Sequence, residues 1–247
     1  MLIILVVCFC ACKQDIIGKR RFYSGDNVTM HWMYYGVRLL TRILLFLLTR
    51  WRVEGKENIP RQGPLLIVVN HLAMADPPII GVSVNRKAMF MAKEELFRSR
   101  LSGYVLRNCG AFSVRRGRMT RETLRKGEEL LAQGMALIMF PEGRRSRNAQ
   151  LEAAFSGAAL LAVRSSALVL PIGITGTEAI RGITWLFRRP RIVVKIGSSF
   201  RLPQVNGKVS REELVNFTSS MMEHIAELLP MEYRGNYHGQ KISKPEN

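Results

Sequence analysis

The chain has 247 residues, of which 47% are hydrophobic, and it carries 37 Lys and Arg against 19 Asp and Glu, a formal net charge of +18. This hydrophobic content excludes a disordered chain, and the length fits one main domain with a short appendage. The excess of positive charge predicts an anionic partner. Nucleic acid, an anionic bilayer surface and phosphorylated or CoA-type substrates all fit that sign.

The first apolar run, residues 1–12, is too short to cross about 30 Å of hydrocarbon as a helix. No basic residue precedes it, as one would in a signal peptide. It is either a segment that dips partly into a membrane or a dispensable extension, with Met30 as an alternative start.

Residues 33–51 predict a helix with a broad apolar surface and with Arg38 and Arg42 along one side. Its tyrosine and tryptophan ends suit the polar boundary of a bilayer. We interpret residues 1–50 as a membrane-associating segment. The alternative for 33–51 is an ordinary amphipathic helix packed on the core.

From residue 51 the sequence alternates short apolar strands with helices, which predicts an α/β fold with a mixed, largely parallel sheet flanked by helices. A capping box at Ser210 begins the last predicted helix, and Asp76 with Pro77 begins an earlier one. The tail, 235–247, is predicted to be flexible. Strands are predicted at 51–54, 64–70, 88–92, 111–114, 136–140, 168–174 and 192–196, and further helices at 94–106, 121–133 and 152–165.

The four cysteines indicate neither a zinc site nor a disulfide framework. Cys8, Cys10 and Cys12 alternate inside the first apolar run and Cys109 stands alone, so no pair has the C-x-x-C spacing. The simplest expectation is a reducing compartment.

The strand at 64–70 ends in Asn70-His71, and Asp76 follows five residues after the histidine. On one continuous helix His71 and Asp76 would lie about 140° apart around the axis. A bend between the strand end and the helix that begins at Asp76 would bring them together. The carboxylate can then hold one imidazole nitrogen while the other takes a proton. The alternative is a loop histidine beside an ordinary N-cap aspartate.

Two further strand ends carry arginine. Arg115 and Arg116 follow the strand at 111–114, and Phe140-Pro141-Glu142-Gly143 leads into Arg144, Arg145 and Arg147. Loops beyond parallel strand ends converge on one crevice, and guanidinium groups bind phosphate oxygens in pairs. Glu142 can hold one of these arginines or bind a substrate hydroxyl. The alternative is a solvated basic loop.

Together these segments resemble the four ordered sequence blocks of the glycerolipid acyltransferase family, especially its bacterial 1-acyl-sn-glycerol-3-phosphate acyltransferases. The resemblance covers about residues 51 to 200, within a predicted acyltransferase domain at 51–234. The four blocks are Asn70-His71-x4-Asp76, Gly110…Val114-x-Arg116, Phe140-Pro141-Glu142-Gly143-x-Arg145-Ser146 and Val169-Leu170-Pro171-Ile172.

The resemblance implies transfer of a fatty acyl group from acyl-CoA or acyl carrier protein to the sn-2 hydroxyl of a 1-acyl-glycerol-3-phosphate, forming phosphatidic acid in phospholipid biosynthesis. His71 matches the general base and Asp76 its partner. No cofactor and no metal are implied, because the thiol of the donor leaves readily. The residues assigned to substrate binding are Asn70, Arg116, Glu142, Gly143, Arg145, Ser146 and Pro171.

The resemblance also implies attachment to the cytoplasmic face of the cell membrane, monotopic or shallowly inserted. Partners would then be the lipid surface, a lysophospholipid acceptor and the acyl donor, without nucleic acid. Two residues depart from the family blocks: Arg144 stands where threonine is usual, and Ser113 stands where a bulky apolar residue or proline is common. Both departures affect the identity of the acceptor more than the acyl-transfer chemistry.

Three other functions fit parts of the sequence. One is an acyltransferase for another lysophospholipid, and one is a lipid or thioester hydrolase in which His71 activates water. The third is a non-catalytic basic module that binds membranes or nucleic acid. Against nucleic acid, the arginines cluster at strand ends beside His71 and no nucleic-acid motif appears. No G-x-S-x-G motif is present, which disfavours a covalent mechanism.

Overall fold

The computed structural model describes residues 32–114, 119–205 and 207–237. The first apolar run, Arg116 and the chain from 238 onwards lie outside the described residues. All seven predicted strands are present: β1 Arg50–Glu54, β2 Leu65–Val69, β3 Ala88–Lys93, β4 Ala111–Val114, β5 Ala136–Met139, β6 Leu168–Thr175 and β7 Arg191–Ile196. The α-helices are α1 Trp32–Leu48, α2 Asp76–Ser83, α3 Arg100–Asn108, α4 Arg121–Ala132, α5 Gly157–Ser165, α6 Trp185–Arg188 and α7 Arg211–Glu227.

The strands form one sheet in the order β1-β7-β6-β2-β5-β3-β4. Strands β2 to β6 run parallel, whereas β7 pairs antiparallel with β6, and β1 pairs parallel with β7. The predicted mixed, largely parallel sheet is therefore confirmed. We call the side of the sheet at which β2 to β6 end the carboxyl edge. Strands β1 and β7 begin at that same edge.

The central strand β2 is buried along its whole length, because helices cover both faces of the sheet. Its residues alternate between two apolar cores, as the pleat of a strand requires. Leu66 and Val68 pack in the core beneath α4, α5 and α7. Leu65, Ile67 and Val69 pack in the core beneath α1 and α2.

Three predicted boundaries are corrected. The helix at 94–106 is two elements, a 3-10 turn at Glu94–Phe97 and then α3. The helix at 152–165 begins only at Gly157, because the backbone N–H groups of Glu152 and Phe155 are bound to the loop after β5. The predicted tail at 235–247 starts too early, since Gly235–Tyr237 forms a 3-10 turn and Tyr237 packs on the core.

Helix α1 packs against α2 through the arginines that interrupt its apolar sequence. Arg38 donates to the carbonyl oxygens of Val84 at 3.0 Å and Arg86 at 3.4 Å, and Arg42 donates to that of Val82 at 3.2 Å. The last carbonyls of a helix have no partner within it, so these guanidinium groups satisfy the end of α2.

The opposite face of α1 is apolar and exposed. The side chains that form it are Tyr35, Leu39, Ile43, Phe46 and Leu47. In the described ranges, no helix combines the length and the hydrophobicity needed to cross a membrane. One side of α1 therefore packs on the domain, as the alternative interpretation expects, and the other side is exposed. The membrane association of residues 1–50 stays a prediction.

Replacing Arg38 by methionine should lower the free energy of unfolding by about 1–2 kcal/mol, because two backbone carbonyls and the Tyr34 hydroxyl lose their donor. Urea unfolding measures this loss. Arg125→Met is the matched control, since Arg125 on α4 is largely exposed and forms a surface ion pair with Glu129, and it should change stability by less than about 0.5 kcal/mol. Equal losses in the two variants would contradict the structural role of Arg38.

Candidate active site

The candidate site lies where β2 and its neighbour β5 end, at the centre of the carboxyl edge. Strand β2 continues into Asn70 and His71, and β5 continues into Phe140, Pro141 and Glu142. Adjacent strands lie about 4.8 Å apart, so the two segments that follow them come into direct contact.

His71 and Asp76 are paired as the sequence predicts. Nδ1 of His71 lies 2.8 Å from Oδ2 of Asp76, which is the first residue of α2. The same oxygen accepts the backbone N–H groups of Leu72 at 2.7 Å and Ala73 at 2.8 Å. These bonds form because the chain turns sharply between β2 and α2, and they fix a carboxylate that is fully buried.

The imidazole of His71 is oriented with one nitrogen inward. Asp76 as a carboxylate can only accept, so Nδ1 carries the proton and Nε2 is left as the acceptor. The ring stacks on Phe140, with centroids 4.2 Å apart, and the side chain retains 17% of its exposure. A histidine held in this way can take a proton from a bound hydroxyl.

Asn70 extends the pairing of β2 with β6. Its side-chain amide donates to the carbonyl oxygen of Ile174 at 2.9 Å and accepts the N–H of the same residue at 2.8 Å. The residue is buried. The predicted substrate contact is therefore replaced by a structural one, in which Asn70 fixes the end of β2 immediately before His71.

Glu142 and Ser146 hold the backbone of His71. We call residues 140–152 the β5 loop. Oε1 of Glu142 accepts the N–H of His71 at 3.0 Å, and Oε2 accepts the N–H of Glu152 at 3.0 Å. The N–H of Ser146 donates to the carbonyl oxygen of His71 at 2.7 Å. The β5 loop therefore bonds to both backbone groups of His71, its N–H and its carbonyl oxygen.

This geometry corrects the predicted role of Glu142. Its side chain is 1% exposed, and both oxygens are occupied by backbone N–H groups instead of by an arginine or a substrate hydroxyl. Burial raises its pKa from 4.5 to about 7, against the lowering effect of the two backbone hydrogen bonds. Glu142 is a positioning residue for His71.

Gly143 and the arginines form the outer part of the β5 loop. Gly143 has φ +64°, and a Cβ there would lie 3.0 Å from the ring of Phe155, so the turn favours glycine. Arg144 forms an ion pair with Glu152, with Nε 2.5 Å from Oε2. Arg145 is exposed, which leaves its guanidinium accessible to an anionic group.

The side chains of the remaining predicted residues that the structure describes, Pro171 and Ser146, do not bond to His71. Arg116 lies outside the described residues, and the strand that precedes it, β4, is three strands from β2. Pro171 is buried in β6 opposite Val68, below the site. Its carbonyl accepts the N–H of Gly197, at the point where the pairing with β7 ends, so the sheet tolerates a residue without an N–H there. The side chain of Ser146 donates to Asn148.

Sequence reasoning missed the C-terminal segment that supports the β5 loop. The N–H of Leu151 donates to the carbonyl oxygen of Tyr233 at 2.8 Å. Tyr237 lies close enough to Glu142 that the carboxylate adds to the effect of burial, which raises the pKa of Tyr237. The two tyrosines, four residues apart beyond Pro230, were the available signal.

The part of the chain that the structure describes holds no candidate metal site and one cysteine. There, no cluster of three His, Cys, Asp or Glu side chains has the arrangement of metal ligands. Burial raises the pKa of Cys109, just after α3, to about 11, so this thiol stays protonated at neutral pH.

Comparison with known proteins gives consistent matches. A family profile described as Acyltransferase matches residues 50–175. The 1-acyl-sn-glycerol-3-phosphate acyltransferase of Streptococcus pneumoniae is 28% identical over 202 residues, which are 78% of this chain and 68% of that protein. The protein of the same name from Bacillus subtilis is 26% identical over 189 residues, 76% of this chain and 92% of that protein.

A solved structure matches as well. The crystal structure of the 1-acyl-sn-glycerophosphate (LPA) acyltransferase PlsC from Thermotoga maritima has a TM-score of 0.61 and 27% sequence identity. The match covers 79% of this chain and 80% of that one. The segments after β2 and β5 that form the candidate site lie inside the region that the family profile matches.

Glu142→Gln should remove a pH dependence of stability. Because folding raises the pKa of Glu142 to about 7, the folded state binds this proton more tightly than the unfolded state, and stability falls as pH rises from 4.5 through 7. The variant does not titrate here, so the stability advantage of the wild type over Glu142→Gln should shrink by up to about 3 kcal/mol between pH 4.5 and 8.

Urea unfolding of both proteins across this pH range checks the expectation. Glu129→Gln, at an exposed position on α4, is the matched control and should show a constant difference from the wild type. An advantage over Glu142→Gln that stayed constant or grew with pH would contradict the protonation of Glu142.

Proposed function

The chain belongs to the Acyltransferase family, and from this premise we propose that it transfers a fatty acyl group to the sn-2 hydroxyl of 1-acyl-sn-glycerol-3-phosphate. The product is phosphatidic acid, an intermediate of phospholipid biosynthesis. The names of the relatives from Streptococcus pneumoniae and Bacillus subtilis support this acceptor. The observation that carries the proposal is the His71–Asp76 pair at the carboxyl edge.

His71 acts as the general base. Its Nε2 takes the proton from the acceptor hydroxyl while that oxygen attacks the carbonyl carbon of the thioester. The tetrahedral intermediate then breaks its carbon–sulfur bond, and the departing thiolate receives the proton from Nε2. Asp76 keeps the imidazole in the tautomer with Nδ1 protonated and stabilises the imidazolium between the two proton transfers.

The acyl donor is acyl-CoA or acyl carrier protein. Either is a thioester whose thiol leaves readily, so the proposed reaction needs no cofactor. The phosphates of CoA and the acidic surface of a carrier protein would both be attracted by the excess of positive charge.

The acceptor phosphate binds to arginines at the carboxyl edge. Arg145 is exposed on the β5 loop close to His71, because Glu142 and Ser146 of the same loop bind the His71 backbone. Arg116, two residues after the end of β4 in the sequence, is proposed as a second contact. A phosphate held there would leave the glycerol hydroxyl of the acceptor directed toward Nε2 of His71.

The enzyme acts at the cytoplasmic face of the cell membrane, where its acceptor resides. The exposed apolar face of α1 supports shallow attachment, because five large apolar side chains on one helix would otherwise face water. A lysophospholipid can then place its headgroup at the carboxyl edge while its acyl chain remains in the bilayer.

His71→Ala should lower kcat by about 10²–10⁴-fold, since the hydroxyl loses its base, while the protein stays folded. The measurement is the rate of labelled phosphatidic acid formation, with circular dichroism as the check on folding. His224→Ala is the matched control, because His224 on α7 stacks on Phe200 away from the crevice and should keep kcat near the wild-type value. A fully active His71→Ala variant would contradict the mechanism.

Arg145→Ala should raise the KM for the acceptor with little change in kcat, because a phosphate contact present in both ground and transition states is lost. Loss of one charge-assisted contact predicts about a tenfold rise. Arg144→Ala is the matched control on the same loop and should change KM less, since the Arg144 guanidinium is bound to Glu152. An unchanged KM in Arg145→Ala would remove this residue from the phosphate site.

Product analysis tests the acceptor and the reaction class together. Purified protein is offered several lysophospholipids with labelled acyl-CoA or acyl carrier protein, and products are resolved by headgroup. Phosphatidic acid as the main product is expected. Another diacyl phospholipid as the main product would indicate a different acceptor, and free fatty acid alone would indicate a hydrolase.

A further inference from the structure

The segment between β6 and β7 presents the most exposed large apolar side chain among the residues that the structure describes. Phe187, in α6, is 88% exposed, and Ile183, just before α6, is 63% exposed. We propose that this segment, residues 181–189, is a second membrane contact that inserts Phe187 and Ile183 into the interface of an anionic bilayer. The contact is separate from α1.

Two contacts with the domain fix the segment that exposes Phe187 and Ile183. Trp185, between them, is 5% exposed and anchors the turn in the domain. Arg189 donates to the carbonyl oxygen of Phe46 at 3.3 Å, which ties the end of the segment to α1. A segment fixed at these two points presents its apolar side chains to solvent in one arrangement, so little ordering is required when a partner binds.

The contact between Arg189 and Phe46 joins two apolar surfaces. Phe46 and Leu47, at the end of α1, are largely exposed and lie beside the 181–189 segment. The segment therefore extends the apolar face of α1 at its C-terminal end. Continuous exposed apolar surface of this kind marks an interaction site.

The charges around the segment select the partner. Arg181, Arg188, Arg189 and Arg191 are all exposed, and residues 179–194 contain no acidic residue. Arg191 is also the register partner of the exposed Arg50. A protruding phenylalanine needs a hydrocarbon layer to enter, and the surrounding arginines need negative charge at its surface. An anionic bilayer supplies both, with each arginine near the surface adding favourable energy.

The position of the segment relates it to the catalytic pair. Strand β6 ends and β7 begins at the carboxyl edge, where β2 delivers His71. Two strand spacings, about 10 Å, separate β2 from β7. Under the proposed function, on which this purpose rests, membrane contact at 181–189 would hold the crevice against the headgroups of the bilayer that contains the acceptor.

Binding to vesicles without any substrate tests the contact independently of catalysis. The full chain is sedimented with vesicles of mixed phosphatidylglycerol and phosphatidylcholine. Ile183→Ser with Phe187→Ser should weaken partitioning about tenfold or more, because two large apolar side chains no longer enter the interface. Val215→Ser is the control, an exposed apolar position on α7, and should bind as the wild type does.

Arg188→Gln tests the charge requirement. It should weaken binding to the mixed vesicles about fivefold and leave binding to pure phosphatidylcholine vesicles unchanged. Weakening that is equal on both vesicles, or absent on both, would overturn the role of the arginines.

A third experiment measures how deeply residue 187 enters the bilayer. It tests the contact even where α1 alone binds vesicles strongly. Phe187→Trp and Val215→Trp are compared with the wild type on vesicles that contain brominated lipids, which quench tryptophan fluorescence within the acyl region. Added quenching in Phe187→Trp alone is expected. Equal quenching in the two variants would overturn the proposal, as would a Phe187-dependent interaction with acidic acyl carrier protein instead of vesicles. If residue 187 enters the bilayer as expected but the wild-type protein transfers no acyl group, the membrane contact stands and the proposed function fails.

Discussion

The orientation of one imidazole, that of His71, depends on contacts with two separate segments, the start of α2 and the β5 loop. Asp76 binds Nδ1 of His71, Glu142 accepts the backbone N–H of His71, and the N–H of Ser146 donates to its carbonyl oxygen. Two carboxyl groups are buried close together as a result, and the negative charge of Asp76 adds to the burial that raises the pKa of Glu142. Burial of polar groups is costly unless they are bonded. Here backbone N–H groups bond to Oδ2 of Asp76 and to both oxygens of Glu142, whereas Oδ1 of Asp76 has no hydrogen-bond partner among the described residues. The site is thus fixed mainly by backbone geometry.

Strand order explains why these segments meet. Strand β2 lies between β6 and β5, so Asn70 can bond to the backbone of Ile174 on one side while the β5 loop reaches His71 on the other. Neither neighbour is adjacent to β2 in sequence. The long apolar strands therefore have a function beyond stability, because their register determines which loop groups reach the imidazole.

Much of the fold could be predicted, since seven apolar strands with turn residues between them follow from local pattern alone. The pairing of His71 with Asp76 was also predictable, because a strand end and an Asp-Pro helix start dictate the bend between them. The contacts of Glu142 could not be predicted from the sequence. An acidic residue beside arginines suggests an ion pair or a ligand, and only tertiary structure shows its oxygens bound to the N–H groups of His71 and Glu152. The α6 turn has four residues, too few for a periodic pattern.

The net charge of +18 also does not show where charge is accessible to a ligand. Buried and exposed arginines count equally in that sum. The guanidinium groups of Arg38 and Arg86 donate to backbone carbonyls, and burial lowers the pKa of Arg86. Such groups hold loops and helix ends together and have few donors left for a ligand. Arg145 and Arg188 are exposed instead, one on the β5 loop and one in the segment after β6, both at the carboxyl edge. Inward arginines also leave the outer face of α1 apolar. Accessible charge and accessible apolar surface therefore meet at the edge that contains His71, and this local arrangement, more than the total charge, favours a lipid headgroup as the ligand.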